Sequence, residues 1–405
     1  MSQQNRSTAV TVVGAGIGGL TAALLLAKAG ATVTVVEQRQ EPAELGAGLM
    51  LQPNGLAVLE GLGLAAGIRG RGRQLTRMAI YDQESRSLSA GEMPDFGAGL
   101  DHYVAVRRRD LHAELLGAVR LEPGICTRFG VTVTGADPAG AVRLADVSGS
   151  APSDGSLDAD LVVGADGVNS VVRTAGSFVA RVSDRQTTYV RGLVRGDEPD
   201  TIAEYWTSFG AFGAAPVAPD LTYFYAAAYR GAAAAAVGEQ DLAAFTTAWR
   251  AVLPAAGALL DRVRSFDDLL VNGVRRVRCR NWVDGRLVLL GDAAHAMAPN
   301  LGQGANSAMV DAAVLTDELG RGPLDQALLR YQRRRRRPVT RVQTVSDGVA
   351  GLSGLTGRHP LLLRGATMRL MAHSPRLLER QVRSAQQEDP AVILAAVGGL
   401  GQPSD

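Results

Sequence analysis

The stretch of this 405-residue chain with the clearest chemical potential is Gly14-Ala15-Gly16-Ile17-Gly18-Gly19. It follows a β-branched run ending at Val13 and opens an alanine- and leucine-rich segment. Glycine at the first position permits a tight turn. At the second it lets the backbone approach a pyrophosphate, and at the third it lets a helix pack closely on a strand. The helix start then offers free N–H groups and a positive dipole end to phosphate. Glu37 stands roughly 20 residues on, at the end of the next apolar run. A carboxylate there can take both hydroxyls of an adenosine ribose and repels a 2′-phosphate. The pattern points to dinucleotide binding.

Two further loci have the same strand–loop–helix character. Gly164-Ala165-Asp166-Gly167-Val168-Asn169-Ser170, with Arg173 beyond, follows the apolar run 161–163. Its small residues leave amides accessible and Asp166 can organise the turn, although alone it reads as an ordinary Asp-Gly turn. Gly291-Asp292-Ala293-Ala294-His295, then Pro299 and Gly302-Gln303-Gly304-Ala305-Asn306, follows the apolar run 287–290. An aspartate at a strand end can accept from a sugar or ribityl hydroxyl, and a glycine-rich helix start makes a second anionic locus. His295 reads as a histidine held in a turn rather than as a base. Cys126 and Cys279 are far apart and match no ligand spacing, so no metal is expected.

Each locus needs a strand to deliver it and a helix to receive it. Segments 9–13, 31–36, 161–163 and 287–290 read as strands, and 161–163 is apolar throughout, as a strand buried in a parallel sheet would be. Segments 20–29 and 306–319 read as the receiving helices. Helices are also expected over 53–64, 109–119, 240–253 and 324 to about 336. Segments 78–81 and 87–90 read as short strands, 131–134 with 142–147 as a hairpin, and 149–155 as a turn. After about residue 176 the pattern changes, and 187–194, 202–209 and 221–229 are strand-like and rich in aromatics. By alternation Tyr189, Arg191 and Leu193 share a face, as do Tyr223 and Tyr225. Residues 232–236 read as a loop or helix end, and the tail as mixed helix and loop.

A net charge of +2 gives no global argument for nucleic acid or a membrane surface. Residues 1–8 lack the apolar core of a signal peptide, and the longest apolar stretches, such as 20–26, are too short to span a bilayer. A cytoplasmic protein is expected. The five consecutive arginines Arg333 to Arg337, before Pro338, read as a solvated helix face.

Taken in order, the three loci resemble the dinucleotide fingerprint, Asp-Gly motif and Gly-Asp motif of the single-component, group A flavoprotein monooxygenases. Gly46-Ala47-Gly48, Gln52-Pro53-Asn54 and Arg108-Arg109-Asp110-Leu111 resemble further segments of that family, and the likeness runs from about Val10 to Arg341. It implies the para-hydroxybenzoate hydroxylase fold, which is α/β. A doubly wound Rossmann-type FAD domain (1–74, 101–176 and 281–345) would carry an inserted, mainly antiparallel β-sheet substrate domain (75–100 and 177–280) and a helical C-terminal tail (346–405).

The resemblance also implies residue roles. Gly14, Gly16 and Gly19, with Ile17 and Gly18 between them, would cradle the FAD pyrophosphate. Glu37, beside Gln38 and Arg39, would hold the adenosine ribose. Gly48 would belong to the cofactor site, Arg108 would contact the ribityl or phosphate region, and Asp166 and Gly167 would serve FAD and NAD(P)H handling. Asp292, after Gly291, would hold the ribityl chain. Gly302, Gly304, Ala305 and Asn306 would set backbone donors near the flavin N1–C2 carbonyl. Pro299, Gly302, Arg191 and Tyr223 would line the reaction cavity, and no catalytic side chain beyond the flavin is named. The implied activity uses NADPH or NADH and O2, by way of a C4a-hydroperoxyflavin, to hydroxylate an aromatic or polycyclic small molecule. Epoxidation or heteroatom oxygenation stays open, as does a flavin reductase or dehydrogenase without oxygen insertion. A monomer or homodimer with no nucleic-acid or membrane partner is expected.

Overall fold

The computed structural model describes residues 7–41, 47–146, 155–196, 199–355, 357–372 and 374–400. Gly46, Val147 and residues 149–154 of the expected turn lie outside the described residues.

A six-stranded sheet carries the three glycine-rich loci. Its order is Val283–Asp284, Leu287–Leu289, Leu161–Gly164, Ala9–Val13, Thr32–Glu37, Ile125–Phe129. Every pair is parallel except at the Val283–Asp284 edge. The central strands are short and apolar because both faces are covered. Val12, Val33, Val35, Leu161, Val163 and Val288 are fully buried. From Ala9–Val13 the chain passes to Thr32–Glu37 on one side and later to Leu161–Gly164 on the other. Such a switch point opens a crevice at the carboxyl ends of the strands. Leu287–Leu289 runs the same way, so the loops after all three loci-bearing strands leave from one edge.

Two glycines set the packing beneath that edge. Gly14 has φ +101°, and a Cβ there would lie 2.6 Å from the Ala165 carbonyl oxygen. A Cβ on Gly19 would overlap the Gly14 carbonyl oxygen, so the Ile17–Lys28 helix can close on its strand only because this residue has no side chain.

The second sheet has seven strands, in the order Leu270–Cys279, Ala180–Arg195, Leu221–Ala228, Ala211–Ala218, Ile202–Trp206, Arg77–Asp82, Ser87–Glu92. Only the Ile202–Trp206 and Arg77–Asp82 pair is parallel. Phe212, Phe224 and Val190 on one face pack with Phe245 and Trp249 of the Leu242–Val252 helix. The other face meets the first unit: Tyr223 lies against Gly48, where a Cβ would overlap its ring. Register sets Arg191, Tyr225, Gly213 and Glu204 side by side across four strands. Ala211–Ala218, with its alanines and Pro216, has little strand propensity of its own; pairing on both sides holds it, and the register shifts at the proline. The strand expected over 202–209 stops at Trp206 because Thr207 and Gly210 exchange backbone hydrogen bonds in a turn.

Three expectations are corrected. Residues 232–236 form the body of a helix, Gly231–Glu239, with Ala233 and Ala236 buried against the second sheet's core. The helix expected to end near Arg336 runs from Leu324 to Ser353, through Pro338. Its buried stripe, Tyr331, Arg335, Val339, Val342 and Ser346, continues across the proline and outweighs the loss of about 3 kcal/mol that an interior proline brings. The arginine run is not a uniformly solvated face either. Arg335 is completely buried, and Arg334 pairs with Asp317, Glu318 and Glu388. Among the described residues no helix is long and apolar enough to cross a membrane.

Overpacking at the strand–helix contact gives a direct check on this arrangement. Gly19→Ala is expected to lower the unfolding free energy by about 2–3 kcal/mol or more, read from urea unfolding of the purified protein.

Candidate functional site

The three loci converge on one crevice. At its first wall, a Cβ on Gly16 would meet nothing within 4 Å, in contrast to the tightly packed Gly14 and Gly19. The backbone there faces open space, which is the close approach a pyrophosphate needs. Glu37 is fixed at the strand end by two backbone donors: Ala15 N–H to Oε2 and Arg39 N–H to Oε1, both at 2.9 Å. Gln38 and Arg39 are exposed. Ile17 is buried in the core, and Gly18 serves helix packing, since a Cβ there would meet the Ala308 Cβ at 2.9 Å.

The second locus is organised by its aspartate, as its sequence suggests. Asp166 Oδ2 accepts from Val171 N–H at 2.7 Å and Val172 N–H at 3.1 Å. Burial raises its carboxyl pKa, although Ser170 and these amides oppose the rise. Gly167 takes φ +76° and fronts open space. Arg173 ties the second locus to the third, donating to Val168 O at 2.7 Å and Ala293 O at 2.8 Å.

Arg108 begins the Arg108–Leu121 helix, and its backbone N–H donates to Ala47 O at 2.9 Å. Its guanidinium is accessible yet recessed: burial lowers its pKa, the Asp292 carboxylate raises it and the Arg191 guanidinium lowers it further. Charged groups from three distant segments therefore lie within electrostatic reach of one another.

The segment after Leu287–Leu289 makes one short helical turn, Asp292–His295, and is held from behind. Gly291 sits at φ +57°, ψ −141°, and its N–H donates to Asp311 Oδ2 at 3.0 Å. The same carboxylate pairs with His295 Nε2 at 2.5 Å and accepts from Arg335 Nε at 2.8 Å, all three side chains being 2% exposed or less. Burial alone would raise the Asp311 pKa; His295 and Arg335 overcome it and hold the carboxyl below its ordinary value. The long helix adds Tyr331 OH to Leu289 O at 3.0 Å, Gln343 Nε2 to His295 O at 3.0 Å and Ser346 Oγ to Ala298 O at 2.8 Å. His295 is thus a structural turn histidine.

Pro299 and Gly302 bound a short 3-10 turn at the start of the Gln303–Leu319 helix. Gln52 Nε2 donates to Leu301 O at 2.7 Å, and its backbone N–H donates to Asn306 Oδ1 at 3.0 Å. Asn306 Nδ2 donates to Gly302 O and Met50 O, so this side chain shapes the turn from within. A Cβ on Gly304 would meet nothing within 4 Å. From the tail, Gln386 accepts from Asn54 N–H at 3.1 Å and donates to Gln52 Oε1 at 3.2 Å.

Facing the crevice is the polar and aromatic side of the second sheet. Tyr189 and Tyr229 share a hydroxyl hydrogen bond of 2.8 Å, and the Arg191 guanidinium lies 5.8 Å from the centroid of the Tyr189 ring. Burial raises the pKa of Tyr189, Tyr223 and Tyr225. Glu204, on the same face, accepts from Tyr225 OH and from Trp206 Nε1. The sequence carried a signal for it, a charged residue at an inward position of the strand Ile202–Trp206.

These residues fit a flavin adenine dinucleotide. Open backbone at Gly16 and Gly304 lies at two separate helix starts, a carboxylate stands at one strand end, and the Arg108 guanidinium feels the Asp292 carboxylate. Residues 7–346 match the family model described as an FAD binding domain. The chain is 32% identical over 359 residues to aurachin C monooxygenase/isomerase of Stigmatella aurantiaca, covering 84% of this chain and 87% of that protein. It is 33% identical over 352 residues to a 3-amino-4-hydroxybenzoate 2-monooxygenase of Streptomyces platensis, covering 80% and 83%. Its fold matches that of 2-methyl-3-hydroxypyridine-5-carboxylic acid oxygenase with a TM-score of 0.76 and 26% identity, over 96% of this chain and 98% of that one.

The Asp311 cluster yields a stability test. Asp311→Asn leaves the Arg335 charge buried without its carboxylate and is expected to cost about 3–5 kcal/mol of unfolding free energy. The folded pKa of Asp311 is depressed, so its contribution is present above the ordinary value of 3.8 and lost as pH falls through the folded value. In urea titrations as pH falls from about 3.8 towards the folded value, wild type should therefore lose stability more steeply than Asp311→Asn.

Proposed function

Since the chain belongs to the group A FAD-dependent aromatic monooxygenases, we propose that it hydroxylates a small aromatic that already carries a ring hydroxyl, using NAD(P)H and O2. The observation that carries this reading is the contact of Tyr223 with Gly48, which sets the aromatic face of the second sheet beside the crevice. When bound, FAD would supply the redox chemistry, namely hydride acceptance from NAD(P)H and activation of O2.

The side chains do the rest. Gly16 admits the pyrophosphate to within reach of the helix N–H groups, and Glu37 accepts from the adenosine ribose. Arg108 and Asp292 take the phosphate and ribityl region. The amides at the start of the Gln303–Leu319 helix, around Gly304 and Ala305, would offer donors to negative charge on the flavin. Asp166 orders its loop through its amide bonds, while Asp311, Arg335 and Gln343 hold the Gly291–Ala298 loop in position. Tyr189, Tyr223, Pro299 and their neighbours exclude water and orient the ring.

The lining and the named relatives support this substrate class. Relatives are named for 3-amino-4-hydroxybenzoate and for 2-methyl-3-hydroxypyridine-5-carboxylic acid, each a hydroxylated aromatic carboxylate. Arg191 provides a cation on the sheet face for such a carboxylate. Residues 177–280 with 75–100 serve the substrate, and the remaining segments up to 345 serve the cofactor.

Two measurements check this. FAD-loaded protein supplied with NADPH or NADH, 18O2 and either named compound is expected to place one 18O atom in the product by mass spectrometry. Consumption of NAD(P)H with hydrogen peroxide as the only oxygen product would instead indicate a reductase. Gly16→Ala, whose new methyl meets no protein atom, is expected to leave unfolding stability within about 0.5 kcal/mol of wild type. It should nevertheless weaken FAD binding at least tenfold, read by flavin fluorescence quenching.

A further inference from the structure

On the reading that this chain hydroxylates a ring hydroxyl-bearing aromatic, we propose that Glu204, acting through Tyr225, receives the proton of that hydroxyl. The geometry begins with register. Tyr225, Gly213 and Glu204 are direct neighbours on three adjacent strands. A Cβ on Gly213 would overlap the Tyr225 ring, so the ring lies across the glycine and its hydroxyl reaches the Glu204 carboxyl on the strand beyond. Trp206 Nε1 donates to the other carboxyl oxygen at 2.5 Å and fixes its plane.

Glu204 is 4% exposed, and among the described residues no cation forms an ion pair with it. A buried carboxyl kept without a counter-charge is expensive unless hydrogen-bonded. Here both of its oxygens are occupied by neutral donors, which leaves it able to change protonation without breaking an ion pair. Burial raises its pKa and brings it closer to that of a ring hydroxyl.

The surrounding charges are few. Tyr189 senses the carboxylate from the Ala180–Arg195 strand, and Tyr229 is hydrogen-bonded to Tyr189. Arg364, on the covering Arg358–Ala372 helix, stacks over Trp206 and donates to its carbonyl at 2.8 Å. Asp82, on the neighbouring strand Arg77–Asp82, is held by Arg86 and Arg369. Arg191 flanks Tyr225 on the other side from Gly213.

Tyr225 is the link. It joins three apolar clusters of the sheet's inner face, yet its side chain stays partly accessible, whereas Glu204 behind it is closed off. With its O–H donated to Glu204, its oxygen presents only lone pairs to a ligand, which suits a donor such as a ring hydroxyl. The step balances. The substrate O–H breaks and its proton passes to the Tyr225 oxygen, while the Tyr225 proton passes to Glu204. An aromatic hydroxyl and a carboxylate become a phenolate and a carboxylic acid, with no net change of charge. The ionised ring is richer in electrons, as attack on an electrophilic oxygen requires. Glu204 is thus a positioning residue and Tyr225 the group that touches substrate.

The test uses FAD-loaded protein without NAD(P)H, with 3-amino-4-hydroxybenzoate and 2-methyl-3-hydroxypyridine-5-carboxylate as probes. Ultraviolet difference spectra across a pH series report ionisation of the bound ring hydroxyl. In wild type the bound hydroxyl should ionise at least about one pH unit below the free probe, a tenfold change in ionised ratio at a given pH. Glu204→Gln and Tyr225→Phe should each abolish that shift, while the dissociation constant of the un-ionised probe, measured at a pH well below the free probe's ionisation, changes less than about threefold. The double variant should behave as either single one, because both act in one relay. A shift retained in Glu204→Gln or in folded Tyr225→Phe overturns the inference and leaves the oxygenase reading standing. Failure of wild type to bind either probe overturns the substrate class, and the inference with it.

Discussion

The constraint on which this molecule depends is the side-by-side parallel pairing of Leu287–Leu289, Leu161–Gly164 and Ala9–Val13. Parallel strands all point one way, so the loops that leave them must emerge at one edge. Three glycine-rich loci far apart in the chain thereby become three walls of one crevice. Parallel pairing demands burial on both faces, and the valines and leucines of these strands supply it while polar chemistry is confined to the loops. The second sheet inherits its position from the same edge: Tyr223 closes on Gly48, and the aromatic face lies where a ring bound beside the cofactor would sit.

A crevice made of loops needs something to hold the loops. For the first locus this is local, because Gly14 and Glu37 close it with backbone contacts. For the third it is remote. Between Leu289 and Ala298 the only regular structure is the short helical turn Asp292–His295, and the segment's polar groups are met by Tyr331, Asp311, Gln343 and Ser346 from two helices that follow it. Buried polar groups without partners are costly, so this segment and the long helix behind it form together or not at all. The same logic separates the two buried carboxylates. Asp311 has Arg335 and His295 and is held ionised, whereas Glu204 has only neutral donors and can take up a proton.

Sequence was most informative where the physics is local. The demands of Gly14, Gly16 and Gly19 belong to a single turn, and Asp166 caps amides five and six residues on; both were legible. Alternation over 187–194 and 221–229 placed Tyr189 with Arg191, and Tyr223 with Tyr225, on shared faces because strand geometry has a fixed period. What stayed hidden depends on partners. Ala211–Ala218 is a strand through its neighbours rather than its composition. Arg335 looks like any member of an arginine run until Asp311, 24 residues away, is found against it. Gln386 fills a gap between Gln52 and Asn54 that no local pattern announces. Glu204 lies between these cases: its inward position was readable, but its link to Tyr225 rests on the missing side chain at Gly213.

The central claim, that the three loci form one extended site for a whole dinucleotide, is tested most directly by comparing the affinity of the flavin-free protein for FAD and for FMN. Fluorescence titration serves for both ligands. If Glu37 and Gly16 hold the adenosine diphosphate half, while Asp292 and the Gly302 turn hold the flavin half, FAD should bind one per chain and at least a hundredfold more tightly than FMN. Equal affinities would contradict the account, because the first locus would then contribute nothing to the site that the parallel strands assemble.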